Sequence, residues 1–385
     1  MTEQINKPEI VIIGAGATGR GHIGQLAHDA GFHITFIERR QDLVECLNEA
    51  KRFIVGLAGE NIVECEVNGF EIYHIDDPRC ADAISGADIL ATAVIPTNLK
   101  STIPNISAGL RLRMTNGITK PLNIIACENM ERSSSTLKGY LKEAEPGLNW
   151  EWIDAHVGFP DSMVARAIPI PHDPLFLLSE GTQEWSVDGT AILQPMPHLE
   201  GMTISSNQAA ALERKLYIKN TGHMSIGVLG FHLGYELMDE AARDPEVFEL
   251  VDAATRESAA AVVAKHGFAP EEMEQYRASF LEQMKSPFLP DEIYRVIREP
   301  IRKLEREERL IGPAMLVMEQ GGNPVSLAKV IRAAFELDNP VDPQAVALRG
   351  LLQDMGLSAL IEKVSGIPRD HDLNKLICES ERFGE

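Results

Sequence analysis

The stretch KLYIKNTGH, residues 215–223, carries Lys215, Lys219, Asn220 and His223 within nine positions. On an α-helix, at about 100° per residue, Lys215, Lys219 and His223 fall near 0°, 40° and 80°, with Asn220 near 140°. All four therefore lie on one side. Hydride removal from a secondary alcohol needs a base for the hydroxyl proton and donors for the alkoxide-like oxygen. A lysine serves as base only where burial and neighbouring cations bring its pKa towards neutrality, and Lys219 with a partly charged His223 could supply those cations. Asn220 and His223 could donate to the developing oxyanion. Lysines alone would read as an ordinary solvated face. The residues that follow, MSIGVLGFHLGY, are apolar and small, and a lined cavity explains that change better.

Such chemistry needs a hydride acceptor, and the chain opens with a place for one. Ile10 to Ile13 form an apolar strand, followed by Gly14-x-Gly16-x-x-Gly19, a helical pattern to about Ala30, a stop at Gly31 and a second strand from His33 to Ile37. Glu38 ends that strand, nineteen residues after Gly19. Strand, glycine turn, helix, strand and acid in this order are the dinucleotide-binding arrangement. Gly14 permits the tight turn, Gly16 lets backbone amides approach a pyrophosphate, and Gly19 lets the helix pack closely. Thr18 and Arg20 sit in the same turn and are cofactor-binding candidates with the three glycines. Glu38 would accept both ribose hydroxyls of NAD and repel a 2'-phosphate. Arg39 and Arg40 follow it, and an arginine there can accommodate NADP, although Glu38 favours NAD.

Two further buried strands are expected, at 87–94, leading into Asn98, and at 122–129, ending in Asn129. In open α/β sheets ligands sit at the carboxyl ends of strands, so Asn98 and Asn129 both point at the expected cleft, Asn98 as a cofactor candidate. Both could equally be turn or cap residues. Between the second strand and Asn98, residues 52–75 read as a β-rich insert with Gly-Glu-Asn and Asn-Gly turns. Residues 150–197 read as mostly extended, and the Pro/Gly-rich stretch 194–202 reads as a boundary. The pattern then becomes helical: 208–242, capped by Ser205, Ser206 or Asn207, then 246–266, 270–285, 291–308, 312–319, 325–337, 343–355, 357–364 and 372–382. The expected plan is an α/β Rossmann-type domain with extra strands over 1–197 and a mostly α-helical catalytic domain over 198–385.

Bulk properties narrow the function classes. A chain of 385 residues carrying 57 Asp+Glu, 36 Lys+Arg and a net charge of -21 is a poor non-specific nucleic-acid binder. No apolar run reaches the roughly 18 residues of a bilayer span, and the N-terminus lacks a signal-peptide pattern, so a cytoplasmic location is expected. Five scattered cysteines without C-x-x-C spacing read as reduced thiols. No clustered His/Cys/carboxylate set suggests a metal site.

Lys215-x4-Asn220-x2-His223 resembles the signature of the zinc-free, polyol-specific long-chain dehydrogenases. The blocks GAGATGRGHIG, PLNIIACENM, HVGFPDS, ERKLYIKNTGH and REPIRKLEREERLIGP extend the resemblance over nearly the whole chain, closest to the mannitol-1-phosphate 5-dehydrogenase branch. The resemblance implies a Rossmann domain followed by a helical domain, and direct hydride transfer between NAD(H) and a ketose/polyol pair. In the closest branch that pair is fructose 6-phosphate and mannitol 1-phosphate. It makes Lys215 the general base, has Asn220 and His223 hold the reacting oxygen, and adds Asn129 as a further polar contact. It also favours a monomer.

One position departs. Where that branch has an aspartate before the arginine of VGFPDSMVARAIP, this chain has Ala165. The change deletes a carboxylate from the expected polar network, so the substrate could be another sugar phosphate, a polyol or a hexuronate. The basic run IYRVIREPIRKLEREER, 293–309, is the candidate anion pocket, with Arg298 and Lys303 as the substrate-binding choices. A non-catalytic NAD-binding sensor and a hydroxyacid-type oxidoreductase are the competing readings.

Overall fold

The strand β1 (Glu9–Ile13) alternates its side chains between two hydrophobic clusters, Ile10 and Ile12 on one side and Val11 and Ile13 on the other. A strand apolar on both faces belongs in the middle of a covered parallel sheet. In the computed structural model, which describes residues 7–59, 61–130, 132–181, 184–288 and 291–384, it does.

The remaining strands are β2 (His33–Glu38), β3 (Arg52–Ala58), β4 (Ile62–Asn68), β5 (Glu71–His74), β6 (Ile89–Thr92), β7 (Leu122–Ala126), β8 (Val157–Gly158), β9 (Ser162–Val164), β10 (Phe176–Glu180), β11 (Trp185–Asp188) and β12 (Met202–Ser205). The main sheet runs β5-β2-β1-β6-β7-β8, entirely parallel. Numbering its strands by their order along the chain gives 3-2-1-4-5-6, the doubly-wound Rossmann order. The chain reverses direction across the sheet between β1 and β6, where a ligand crevice is expected. Asp88 secures the start of that seam by accepting from the Glu9 amide at 2.9 Å.

The expected β-rich insert is present. β3 and β4 form an antiparallel hairpin, Arg52 opposite Asn68, and β10 joins β3 in parallel. Gly69, at φ 67°, turns the chain out of β4; Glu60, in the expected Gly-Glu-Asn turn, lies outside the described residues. A third sheet has the order β12-β11-β9. The extended reading of 150–197 needs one correction. Trp150–His156 is a helix, started by Asn149, whose side chain accepts from the Trp152 amide at 3.1 Å. Its aromatic, β-favouring composition is overridden by that cap and by burial of Ile153.

The chain divides into two compact units, Met1–Ala211 and Leu212–Glu385. The second is helical around one apolar core. Its long helix Pro245–His266 shows why the sequence was legible there: Asp244 caps it, Pro245 opens it, and Gly267 at φ 73° closes it. Two expected helices break. The first runs only to His232, where Gly234 at φ 82° turns the chain, and resumes as Met238–Arg243. The second, the helix expected over 291–308, contains only two single turns, Ile293–Val296 and Pro300–Lys303, separated by Glu299 at φ 57°. Pro300 restricts its predecessor away from the helical region, which accounts for the break.

Candidate active site

A π-helical turn lies within or beside each of the two principal predicted motifs. In the first unit, Gly19–Gly24 is π-helical and leads into Gln25–Asp29. In the second, Lys215–Asn220 is π-helical between the α-helical stretches Gln208–Arg214 and Thr221–His232. Short π segments within helices are frequent at functional sites.

The three glycines of the first turn have distinct structural needs. Gly14 has φ 103°, and a Cβ there would meet the Ala93 carbonyl at 2.5 Å. A Cβ on Gly19 would lie 1.9 Å from the Gly14 oxygen. Both glycines are therefore required by the fold itself. Gly16 is different, because a Cβ there meets nothing within 4 Å. The space beside Gly16 is open on the ligand side of the turn, as a pyrophosphate cradle requires. Thr18 is half-buried and immediately precedes the π turn. Arg20 is enclosed, 1% exposed, with Nε donating to Ala15 O at 2.7 Å, Nη1 to Pro174 O, and its guanidinium 5.5 Å from the Phe53 ring. Burial and nearby Arg40 bring its pKa down to about 10.

Glu38 closes the loop. One carboxylate oxygen accepts from the Ala15 amide at 2.9 Å, the other from the Arg39 and Arg40 amides at 3.0 Å each, and the Arg40 guanidinium reaches both. Burial pushes its carboxyl up, but the Arg40 hydrogen bonds outweigh this and hold it below the usual range. Arg39 is exposed. Asn98 is half-buried on the 3-10 turn Pro96–Thr102, and Asn129 is exposed in the loop after β7, beyond Cys127 and Glu128. Between them lies a residue that sequence reading did not select. Glu128, 5% exposed, accepts from Thr92 Oγ1 at 2.9 Å and the Val94 amide at 3.0 Å, tying the ends of β6 and β7 together. Burial raises its carboxyl above the ordinary value.

In the second unit the π turn changes the expected angles. Its i→i+5 bonding adds a residue to the turn, so Lys215 and Asn220, five apart, stack more closely than α-helical spacing allows. Lys215, Lys219, Asn220 and His223 are all half-buried. The Lys219 ammonium lies 5.0 Å from the Tyr276 ring centre, and Arg214 covers the same ring at 4.5 Å. Thr221 shares its hydroxyl proton between the Leu216 and Arg309 carbonyls. The small residues that follow serve close packing. A Cβ on Gly222 would meet the Phe280 ring at 2.5 Å, and one on Gly230 would meet Ala241 at 2.5 Å.

His223 Nε2 lies 3.2 Å from Asp291 Oδ2, and Arg295 Nε lies 2.6 Å from Asp291 Oδ1. Asp291 is 68 residues from His223, and no local pattern announced it. Burial raises the Asp291 carboxyl, but hydrogen bonds from His223 and Arg295 prevail and hold it at about 2. Arg298 is exposed, with Nε 3.4 Å from the Arg295 carbonyl. Lys303 is 7% exposed and donates to the Val296 carbonyl at 2.7 Å. Among the described residues, no group of three or more His, Cys, Asp and Glu could hold a metal ion. A cavity of about 570 Å³ lined by Lys100, Ser107, Tyr140 and Glu143 includes none of the candidates.

Residues 8–201 match the family model described as the mannitol dehydrogenase Rossmann domain, and residues 209–385 match the mannitol dehydrogenase C-terminal domain. The chain belongs to the mannitol dehydrogenase family. Its polyol-dehydrogenase resemblance and its two-part fold are thereby both borne out. A mannitol-1-phosphate 5-dehydrogenase of Brevibacillus brevis is 38% identical over 379 residues, covering 97% of each chain. Among solved structures, a Pseudomonas fluorescens mannitol 2-dehydrogenase, in ternary complex with NAD and D-mannitol, has a TM-score of 0.72 at 16% identity, covering 97% of this chain and 91% of that one. A substrate-free D-sorbitol dehydrogenase has a TM-score of 0.75 at 17% identity, covering 96% and 95%. The two structures share the mannitol dehydrogenase fold with this chain.

Proposed function

We propose that this member of the mannitol dehydrogenase family is an NAD-dependent oxidoreductase that interconverts a ketose phosphate and a polyol phosphate without a metal. The fructose 6-phosphate/mannitol 1-phosphate pair is the first choice. The observation that carries the reading is Lys215 and Asn220 on one π turn, with His223 on the first turn of the helix that continues it. The 38% identical relative, named for mannitol 1-phosphate, supports the substrate class.

The cofactor loop fits the proposal: Gly16 leaves open space at the turn, and the helix that follows directs amide donors towards it. Gly14, Gly16, Thr18 and Gly19 would hold the pyrophosphate, with Glu38, Arg39 and Asn98 towards the remainder of the dinucleotide. When bound, NAD supplies the hydride acceptor. Lys215 Nζ takes the proton from the reacting hydroxyl. A lysine does so only when neutral, a state favoured by burial and like-charged neighbours; Lys215 is half-buried, with Arg214 and Lys219 on the same helical run. Asn220 and His223 hold the reacting oxygen, and Arg298 attracts the substrate anion; Lys303, expected to share that role, is buried and donates to the Val296 carbonyl instead. The setting is taken to be the cytoplasm, and the acting species a monomer.

Ala165 supports a second reading, the same chemistry on a different sugar. It is buried, and Arg166 beside it is already committed to Gln25, Gly21 and Glu180. The test is NADH and NADPH oxidation against fructose 6-phosphate, fructose, fructuronate and a pentulose phosphate. Turnover confined to fructose 6-phosphate supports the first reading; activity only on another ketose supports the second. Silence with NADH still bound would leave a non-catalytic sensor.

A further inference from the structure

His223 and Asp291 define a residue role that the active-site motif does not contain. Asp291 is ionised and its side chain is 19% exposed, so towards a neighbour it is an acceptor only. The proton in the 3.2 Å contact must therefore sit on His223 Nε2. Arg295 grips the same carboxylate through Nε to Oδ1 at 2.6 Å and through Nη2 to Oδ2, which fixes the position of Asp291. Arg295 is one turn from Asp291, while His223 stands on the separate helix Thr221–His232. The carboxylate therefore bridges two elements of the helical unit and sets the ring orientation of His223.

We propose that Asp291 is the positioning residue for His223, holding it as the Nε2–H tautomer so that Nδ1 is presented to the substrate. The inference rests on the polyol-dehydrogenase reading given above. With Nε2 committed, the neutral ring offers a bare Nδ1 that accepts from a substrate hydroxyl. When the ring is protonated, Asp291 balances the imidazolium and Nδ1–H donates to a carbonyl or oxyanion. A second carboxylate acting through histidine is a recurrent device, because the partner selects both tautomer and orientation. Arg295 contributes by holding the carboxylate in place, which a longer or neutral side chain would do less well.

The test combines kinetics with a direct tautomer measurement. Asp291→Asn should lower kcat/KM for the active ketose by about 50-fold or more, with NADH affinity and melting temperature nearly unchanged. Asp291→Glu should recover part of the loss. In the wild-type protein labelled with 15N-histidine, at a pH where the ring is neutral, His223 Nδ1 should resonate as the unprotonated nitrogen. His223→Gln assigns the signal. A kcat/KM for Asp291→Asn within twofold of wild type, or a wild-type ring protonated on Nδ1, would overturn the role. Because the NMR measurement needs no turnover, it stands even if no polyol or ketose is a substrate, or if Asp291→Asn does not fold.

Discussion

Lys303 turns its ammonium inward and donates to the carbonyl of Val296 at 2.7 Å. Burial, helped by Arg309 and Arg302, brings its pKa down to about 7 from 10.5. Between these two values the unfolded chain binds more protons than the folded one, so this group makes stability rise with pH across that window. Lys303→Met removes the dependence. Thermal melts at pH 6 and pH 9.5 should show the variant gaining relative to wild type at the lower pH. An equal difference at both values would contradict a folded pKa near neutrality.

His22 sits 0% exposed, with both ring nitrogens lacking a hydrogen-bond partner, edge-on to Trp185 at 6.4 Å. Burial, with Arg166 nearby, holds its pKa at about 3. The folded value lies below the unfolded one, so stability is lost as pH falls below about 6.5. His22→Phe keeps the edge contact without the stranded nitrogens. It should stabilise the protein by about 1–3 kcal/mol, and by more at pH 5 than at pH 8. Urea unfolding at the two pH values reads this out, and a destabilised variant at both would refute it.

The glycines of the first turn separate fold from binding. Gly16→Ala meets no atom within 4 Å, so it should leave the melting temperature unchanged while weakening NADH by about tenfold or more, through loss of close backbone approach. Gly19→Ala would place a Cβ 1.9 Å from the Gly14 oxygen, and it should lower stability as well. Fluorescence titration with NADH, paired with thermal melts, tests both. A Gly16→Ala protein that binds NADH normally would remove Gly16 from the cofactor site.

Glu38 holds the turn through amides of Ala15, Arg39 and Arg40. Glu38→Ala should cost about 2 kcal/mol at pH 7. Because the folded carboxyl is held below its ordinary value, the difference from wild type should shrink as pH falls through the carboxylate range. The same variant should lose more affinity for NADH than for NADPH. Equal losses would mean that Glu38 does not read the ribose.

Much of this was legible in the sequence because local rules agree with the global fold. β1, the glycine turn, β2 and Glu38 follow one another within 30 residues, each set by apolar alternation or glycine geometry. Asp244, Pro245 and Gly267 marked the helix ends in the second unit. What escaped depends on contacts distant in sequence. β10 finds β3 across more than a hundred residues, and Asp291 reaches His223 across 68. The π turns at Gly19 and Lys215 leave no signature in residue spacing, because they differ from an α-helix only in which carbonyl each amide selects. The break at Glu299 was signalled by Pro300 but obscured by the helical charge pattern around it.

The central claim is that Lys215 is the base for hydride transfer, and Lys215→Ala tests it most directly. Single-turnover rates with the active substrate should be measured beside NADH affinity by fluorescence titration. The account predicts a fall in rate of about a thousandfold or more, with NADH affinity within a fewfold of wild type. Turnover unchanged in Lys215→Ala would contradict it.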